Sequence, residues 1–170
     1  MNNVDLGLDM DIEQTAKNAS NFLRYVLPHY VKGAGLRLTS LSSPSLSGMP
    51  SAPSSFNSQE RKIRKAFDRV EENELKVATI YQTIKLCYNS QNKPYQTILI
   101  KKFIDEEPDW KIAQMVQYSL KQYYLKKKSA LCDFAELLES QKVKNDCLDI
   151  PVLVAPIESS DEEDEKQEKS

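Results

Sequence analysis

A chain of 170 residues, 40% hydrophobic and 28% charged, has room for one modest domain plus appendages, and its mean hydropathy of −0.56 assigns much of it to surface. No run of 18 apolar residues occurs and residues 1–5 lack a basic, then apolar, start, so neither a membrane span nor a secretion signal is expected and a cytoplasmic location is. The net charge of −2 conceals an asymmetry: residues 158–170 hold seven acids and two lysines, which leaves +3 for the rest of the chain.

Residues 12–32 predict a helix, because Ile12, Ala16, Ala19, Phe22, Leu23 and Val26 recur at threes and fours. Pro28 should end or bend it, since proline cannot donate to the helical ladder. In residues 40–58, nine of nineteen positions are serine and Pro44, Pro50 and Pro53 interrupt, which predicts a linker without a core of its own. Leu41, Leu46, Met49 and Phe56 are its candidate docking points.

Asn57 with Glu60 resembles a capping box, and a long helix should follow over 58–91. Ile63, Phe67, Val70, Val77, Tyr81, Ile84 and Tyr88 step by fours and threes, with Glu74 the polar member of the series. Such a seam either packs on the N-terminal helix of the same chain or builds a homodimer as a coiled coil.

Pro94 suits the first position of the next helix, to Ile104, burying Tyr95, Ile98, Leu99 and Phe103. After the acidic loop 105–109, Asp109 is a candidate cap and Trp110 a candidate anchor onto the core. Residues 109–131 then read as two helices joined by a tight turn, a helix-turn-helix. Ile112, Ala113 and Val116 share one face, residues 117–119 break the pattern, and Ser119 is an N-cap for the second helix. Ala113 permits a close helix crossing, with Tyr118 and Tyr123 closing a small core. Gln117 occupies the turn position where glycine is usual and must tolerate a left-handed backbone.

If Tyr123 faces inward, Lys127 and Ala130 share its stripe, whereas Lys121, Leu125 and Lys128 lie outward with Gln122 and Tyr124 flanking them. Four lysines and no acid between Ser119 and Cys132 make the outward surface positive, as a phosphate-contacting helix requires. Phe134, Leu137 and Leu138 extend the inner stripe. Beyond Gln141 the periodicity fades: residues 150–156 are a proline-bounded docking strand at most, and the acidic end should be disordered.

The expected architecture is all-α, with an N-terminal segment 1–39, a Ser/Pro linker 40–57, a long helix 58–91, a three-helix DNA-binding unit 92–140 and an acidic tail 141–170. Nothing points to catalysis. Cys87, Cys132 and Cys147 are scattered thiols with no paired spacing, and His29 is the sole histidine. Residues 33–36 are followed by no Gly-Lys-Ser/Thr. No enzyme activity, metal or cofactor is expected.

Residues 94–99 (PYQTIL), 110–113 (WKIA), 118–119 (YS), 122–124 (QYY), 126–128 (KKK) and 130–135 (ALCDFA), with the block 41–50 and Asn57-Ser58, resemble the ArpU family of phage late transcriptional regulators. The likeness covers roughly residues 15–138. It implies a prophage regulator in a bacterial host that governs packaging, lysis or autolysin genes through a domain similar to sigma-factor region four.

The sequence thus predicts a binder of double-stranded promoter DNA through Ser119, Leu120, Lys121, Gln122, Tyr124, Leu125, Lys126, Lys127 and Lys128. Lys121 and Gln122 would read base edges, Leu125 would meet a thymine methyl, and Tyr124 with Lys126, Lys127 and Lys128 would hold phosphates. The rival reading is an adaptor that holds RNA polymerase without touching DNA.

Overall fold

The computed structural model describes residues 10–41 and 58–157, with the backbone alone at 58–60. The described chain is mostly helical and contains no β-strand. All but the first two residues of the predicted linker, the Asn57 cap with the Glu60 side chain, and the acidic end from residue 158 lie outside the described residues.

Helix α1 (Ile12–Asn21) starts at Asp11, whose carboxylate accepts the Gln14 backbone N–H at 3.0 Å. A π-turn, Phe22–Val26, then leads into α2 (Leu27–Gly33), so Pro28 does not end the helix. The π-turn explains why. A proline lacks an N–H and its ring crowds the carbonyl four residues back; widening the turn so that Leu27 N–H reaches Phe22 O makes room for it. Gly35, at φ 70°, closes α2: its N–H reaches Lys32 O and that of Leu36 reaches Val31 O, both at 3.0 Å. A Cβ at Gly33 would lie 2.5 Å from Asn73 Nδ2, so glycine there permits the close approach of α2 to the next helix.

That helix, α3 (Ser58–Leu86), ends five residues short of the predicted 91. Its predicted seam meets the core at Val77 and Ile84, with Tyr81 packed against it, and departs from it elsewhere. Val77, Ile80, Ile84 and Cys87 are the buried apolar residues, Tyr81 is half-buried, and Ile63, Phe67 and Tyr88 are exposed. The second half of α3 packs within one chain on α2 and on the helix Leu120–Lys144.

Helix α4 (Tyr95–Leu99) begins one residue after Pro94 and continues through a second π-turn, Ile100–Ile104, burying Tyr95, Ile98, Leu99, Phe103 and Ile104. Helix α5 (Asp109–Met115) is followed by α6 (Leu120–Lys144). Ala130, Leu131, Phe134, Ala135 and Leu138 of α6 share one core with Ala16, Ala19 and Leu23, with Val77, Ile80 and Ile84, and with Leu99 and Phe103. Ile12, expected in that core, is exposed.

The segment after α6 returns to α1. Asp11 N–H donates to Ala155 O (2.9 Å), Ala155 N–H to Thr15 Oγ1 (2.9 Å) and Asn18 Nδ2 to Leu153 O (3.1 Å), with Ile150 and Leu153 buried beneath. Its extended part makes a single antiparallel bridge, Met10 to Pro156, so the expected docking segment is present without forming a strand.

Candidate nucleic-acid interface

Residues 116–119 turn α5 into α6. Gln117 sits at φ 61°, its N–H reaching Gln114 O at 3.2 Å while Tyr118 N–H reaches Ala113 O at 3.0 Å. This pair of bonds satisfies two terminal carbonyls of α5 and requires the left-handed residue expected at Gln117. Ser119, extended at φ −62° and ψ 156°, caps α6 through Oγ, which accepts Gln122 N–H at 3.3 Å. Beneath the turn, Ile98, Ile112, Ala113 and Tyr123 form a second small core, with Val116 and Tyr118 against it.

Tyr123 is the pivot. Its ring is fully buried, and its hydroxyl donates to Asp109 Oδ1 at 2.8 Å. Asp109 also takes Lys127 Nζ at 3.3 Å on the same oxygen and Lys102 Nζ at 3.3 Å on Oδ2. One carboxylate at the start of α5 therefore ties that helix to α6 and to the end of the α4 segment. Burial pushes the Asp109 carboxyl upward. The Tyr123 hydrogen bond and the charges of Lys127 and Lys102 outweigh it and hold the group below the ordinary aspartate value. Burial likewise raises the Tyr123 phenol, reinforced by Asp109. Lys127 moves down although it faces Asp109, because desolvation is the larger influence on it and Lys102 and Arg24 add repulsion.

Two sequence expectations change here. Asp109 does not cap α5; the cap position is Pro108, with no side-chain bond, because the Asp109 carboxylate is turned toward Tyr123 and the lysines. Trp110 does not anchor the loop: it is 59% exposed.

The nine proposed contact residues divide. Ser119, Leu120, Lys121, Gln122, Tyr124 and Leu125 are exposed along the first two turns of α6. Lys127 is withdrawn from them by its bond to Asp109, with 14% of its side chain exposed, so a phosphate-holding role does not fit its position. Lys126 donates to Asn92 O at 2.7 Å and lies 5.5 Å over the Tyr118 ring. Lys128 pairs with Glu13 of α1. Both remain half-buried at the surface, where such pairs exchange readily for a stronger anion. No described residue forms an ion pair or hydrogen bond with the Lys121 ammonium.

The loop before α4 buttresses the turn. Tyr118 hydroxyl donates to Gln91 O at 2.8 Å, beside the Lys126 bond to Asn92. Neither this buttress nor the Asp109 cluster was expected from sequence. The available signal for the cluster is the four-residue spacing of Tyr123 and Lys127, which puts a hydroxyl and an ammonium on the inward face of one helix, where a carboxylate must meet them.

Residues 110–132 contain five lysines and no acid, so the tip of α6 is positive by composition as well as by the amino end of its helix dipole. No protein-family model, curated protein or solved structure matches this chain.

Proposed function

We propose that the protein is a sequence-specific DNA-binding transcriptional regulator in which α5, the turn and α6 act as a helix-turn-helix. The tip of α6 enters the major groove, with Lys121 and Gln122 on base edges, Leu125 against a thymine methyl, and Tyr124, Lys126 and Lys128 on phosphates. Ser119 and Leu120 stand at the entering end. Lys127 acts as a positioning residue through Asp109. The observation that carries this reading is the exposure of Lys121, Gln122, Tyr124 and Leu125 on a helix start held from behind by the buried Tyr123. The likeness to ArpU proteins suggests late prophage genes as the regulon.

A second reading is supported by apolar exposure at the same end: Trp110, Met115, Leu120 and Leu125 are all 46% exposed or more. Such side chains suit a protein partner, and RNA polymerase held without DNA contact is the form that reading takes.

The test is a genome-wide footprint of the tagged protein followed by titration of the enriched promoter with wild type and two variants. Lys121→Ala should weaken preferred sites by about 1–3 kcal/mol and relax discrimination there; Lys128→Ala should weaken all duplexes alike and flatten the salt dependence by about one unit. Equal, salt-insensitive binding by all three proteins removes the DNA reading. Polymerase retention by a protein without DNA affinity establishes the second.

A further inference from the structure

The first half of α3 carries an apolar stripe that its own bundle does not cover. Residues 61–69 are all exposed, Ile63 at 55% and Phe67 at 47%, and Val70 is half-buried. At 100° per residue, Ile63, Phe67 and Val70 lie roughly a quarter turn away from the core line of Val77, Ile80, Ile84 and Cys87. Continued upstream, the core line reads Asn73, Arg69, Ala66 and Lys62, which is polar. The stripe is therefore a separate face, not a frayed extension of the core.

Charge along this half is segregated. Arg61, Lys62, Arg64, Lys65 and Arg69 come first, against Glu60 and Asp68, and Glu71, Glu72 and Glu74 follow, against Lys76. A parallel pair of such helices would set basic beside basic and acidic beside acidic. An antiparallel pair sets each basic run beside the partner's acidic run, and a two-fold axis allows this because one patch meets itself.

We propose that residues 58–76 of α3 pair antiparallel with the same stretch of a second copy of this chain. Phe67 packs against Val70 of the partner subunit, and Ile63 beside Glu74 of the partner subunit. The second half of the helix takes no part, since its apolar face is occupied within the chain. The stripe spans few turns, which places the association at the weak, micromolar end. The inference is independent of the DNA reading.

Sedimentation of the full chain from roughly one to several hundred micromolar should show the mass rising from 19.4 kDa toward twice that value. Phe67→Glu should remain monomeric with an unchanged thermal melt, because the side chain is exposed. Glu71→Lys with Glu72→Lys should weaken association at least about tenfold. Orientation is read by mixing Ile63→Cys protein with Glu74→Cys protein under mild oxidation: the mixed 63–74 disulfide should predominate. A wild type that stays monomeric throughout, or a predominant 63–63 product, overturns the proposal. Self-association that appears only after deletion of residues 158–170 also overturns it, by assigning the stripe to the acidic tail.

Discussion

Asp109→Ala tests whether one carboxylate holds the angle between α5 and α6. The substitution removes the acceptor for the Tyr123 hydroxyl, 2.8 Å away on a residue with 0% exposure, and leaves that hydroxyl without its protein partner. An orphaned buried hydroxyl costs about 1–3 kcal/mol. The two lysines add less, since Lys102 and Lys127 keep 19% and 14% of their side chains exposed and their ammoniums turn outward once released. A loss of about 2–3 kcal/mol follows, a fall of about 5–10 °C in melting temperature for a chain of this size. Denaturant unfolding of the full chain measures it, together with Tyr123→Phe and the double variant. Tyr123→Phe alone should cost about 1 kcal/mol, and the double variant about 1 kcal/mol less than the sum, because phenylalanine removes the stranded hydroxyl. A loss below about 0.5 kcal/mol for Asp109→Ala, or strict additivity, would refute the clamp.

The same carboxylate predicts an acid limb. Its folded value lies below the unfolded one, so its contribution is complete above the ordinary aspartate value and is lost as pH falls through the folded value; in Asp109→Asn that part of the decline should be absent from stability-against-pH curves. Gln117→Gly should raise stability by about 0.5–1 kcal/mol and melting by about 1–4 °C, because glycine adopts φ 61° without Cβ strain, while Gln117→Val should lower both. Glu13→Gln should release Lys128 and strengthen binding to any duplex at low salt by up to about fivefold, with no change in sequence preference, in the promoter titration used for the α6 variants.

Where the chain's local chemistry decides a conformation, the sequence was readable. Ser119 caps α6 because a short hydroxyl side chain reaches an N–H three residues on, and Gln117 takes the left-handed turn because the pattern on both sides leaves no other closure. Where a distant group decides, it was not. Asp109 has a capping side chain at a helix start, yet two lysines and a tyrosine from other segments claim its oxygens. Trp110 looks like an anchor until the packing of α5 turns Ile112 and Ala113 inward and leaves it in solvent. On α3 the expected seam, 63–67–70–77–81–84–88, and the observed core line, 77–80–84–87, share Val77 and Ile84 and diverge toward the start of the helix. Periodicity cannot choose between them, and only the positions of α2 and α6 show that the second is the core.

The placement of α6 gives the candidate interface its mechanical character. Its first two turns are presented to solvent, but Tyr123 anchors them from within, and from Ala130 onward the same rod is the shared wall of the core against α1, α3 and α4. The backbone that carries the contact side chains is thus fixed by packing on a continuous helix, so little backbone freedom remains to be lost when a partner engages them. Lys126 and Lys128, by contrast, are already held by Asn92 and Glu13, which aims them while lowering their net gain from a phosphate. Under the proposed DNA reading, burial sets the division: Lys121, Gln122 and Leu125 would carry discrimination from a rigid base, and the half-buried lysines would supply attraction that is indifferent to sequence and falls with salt.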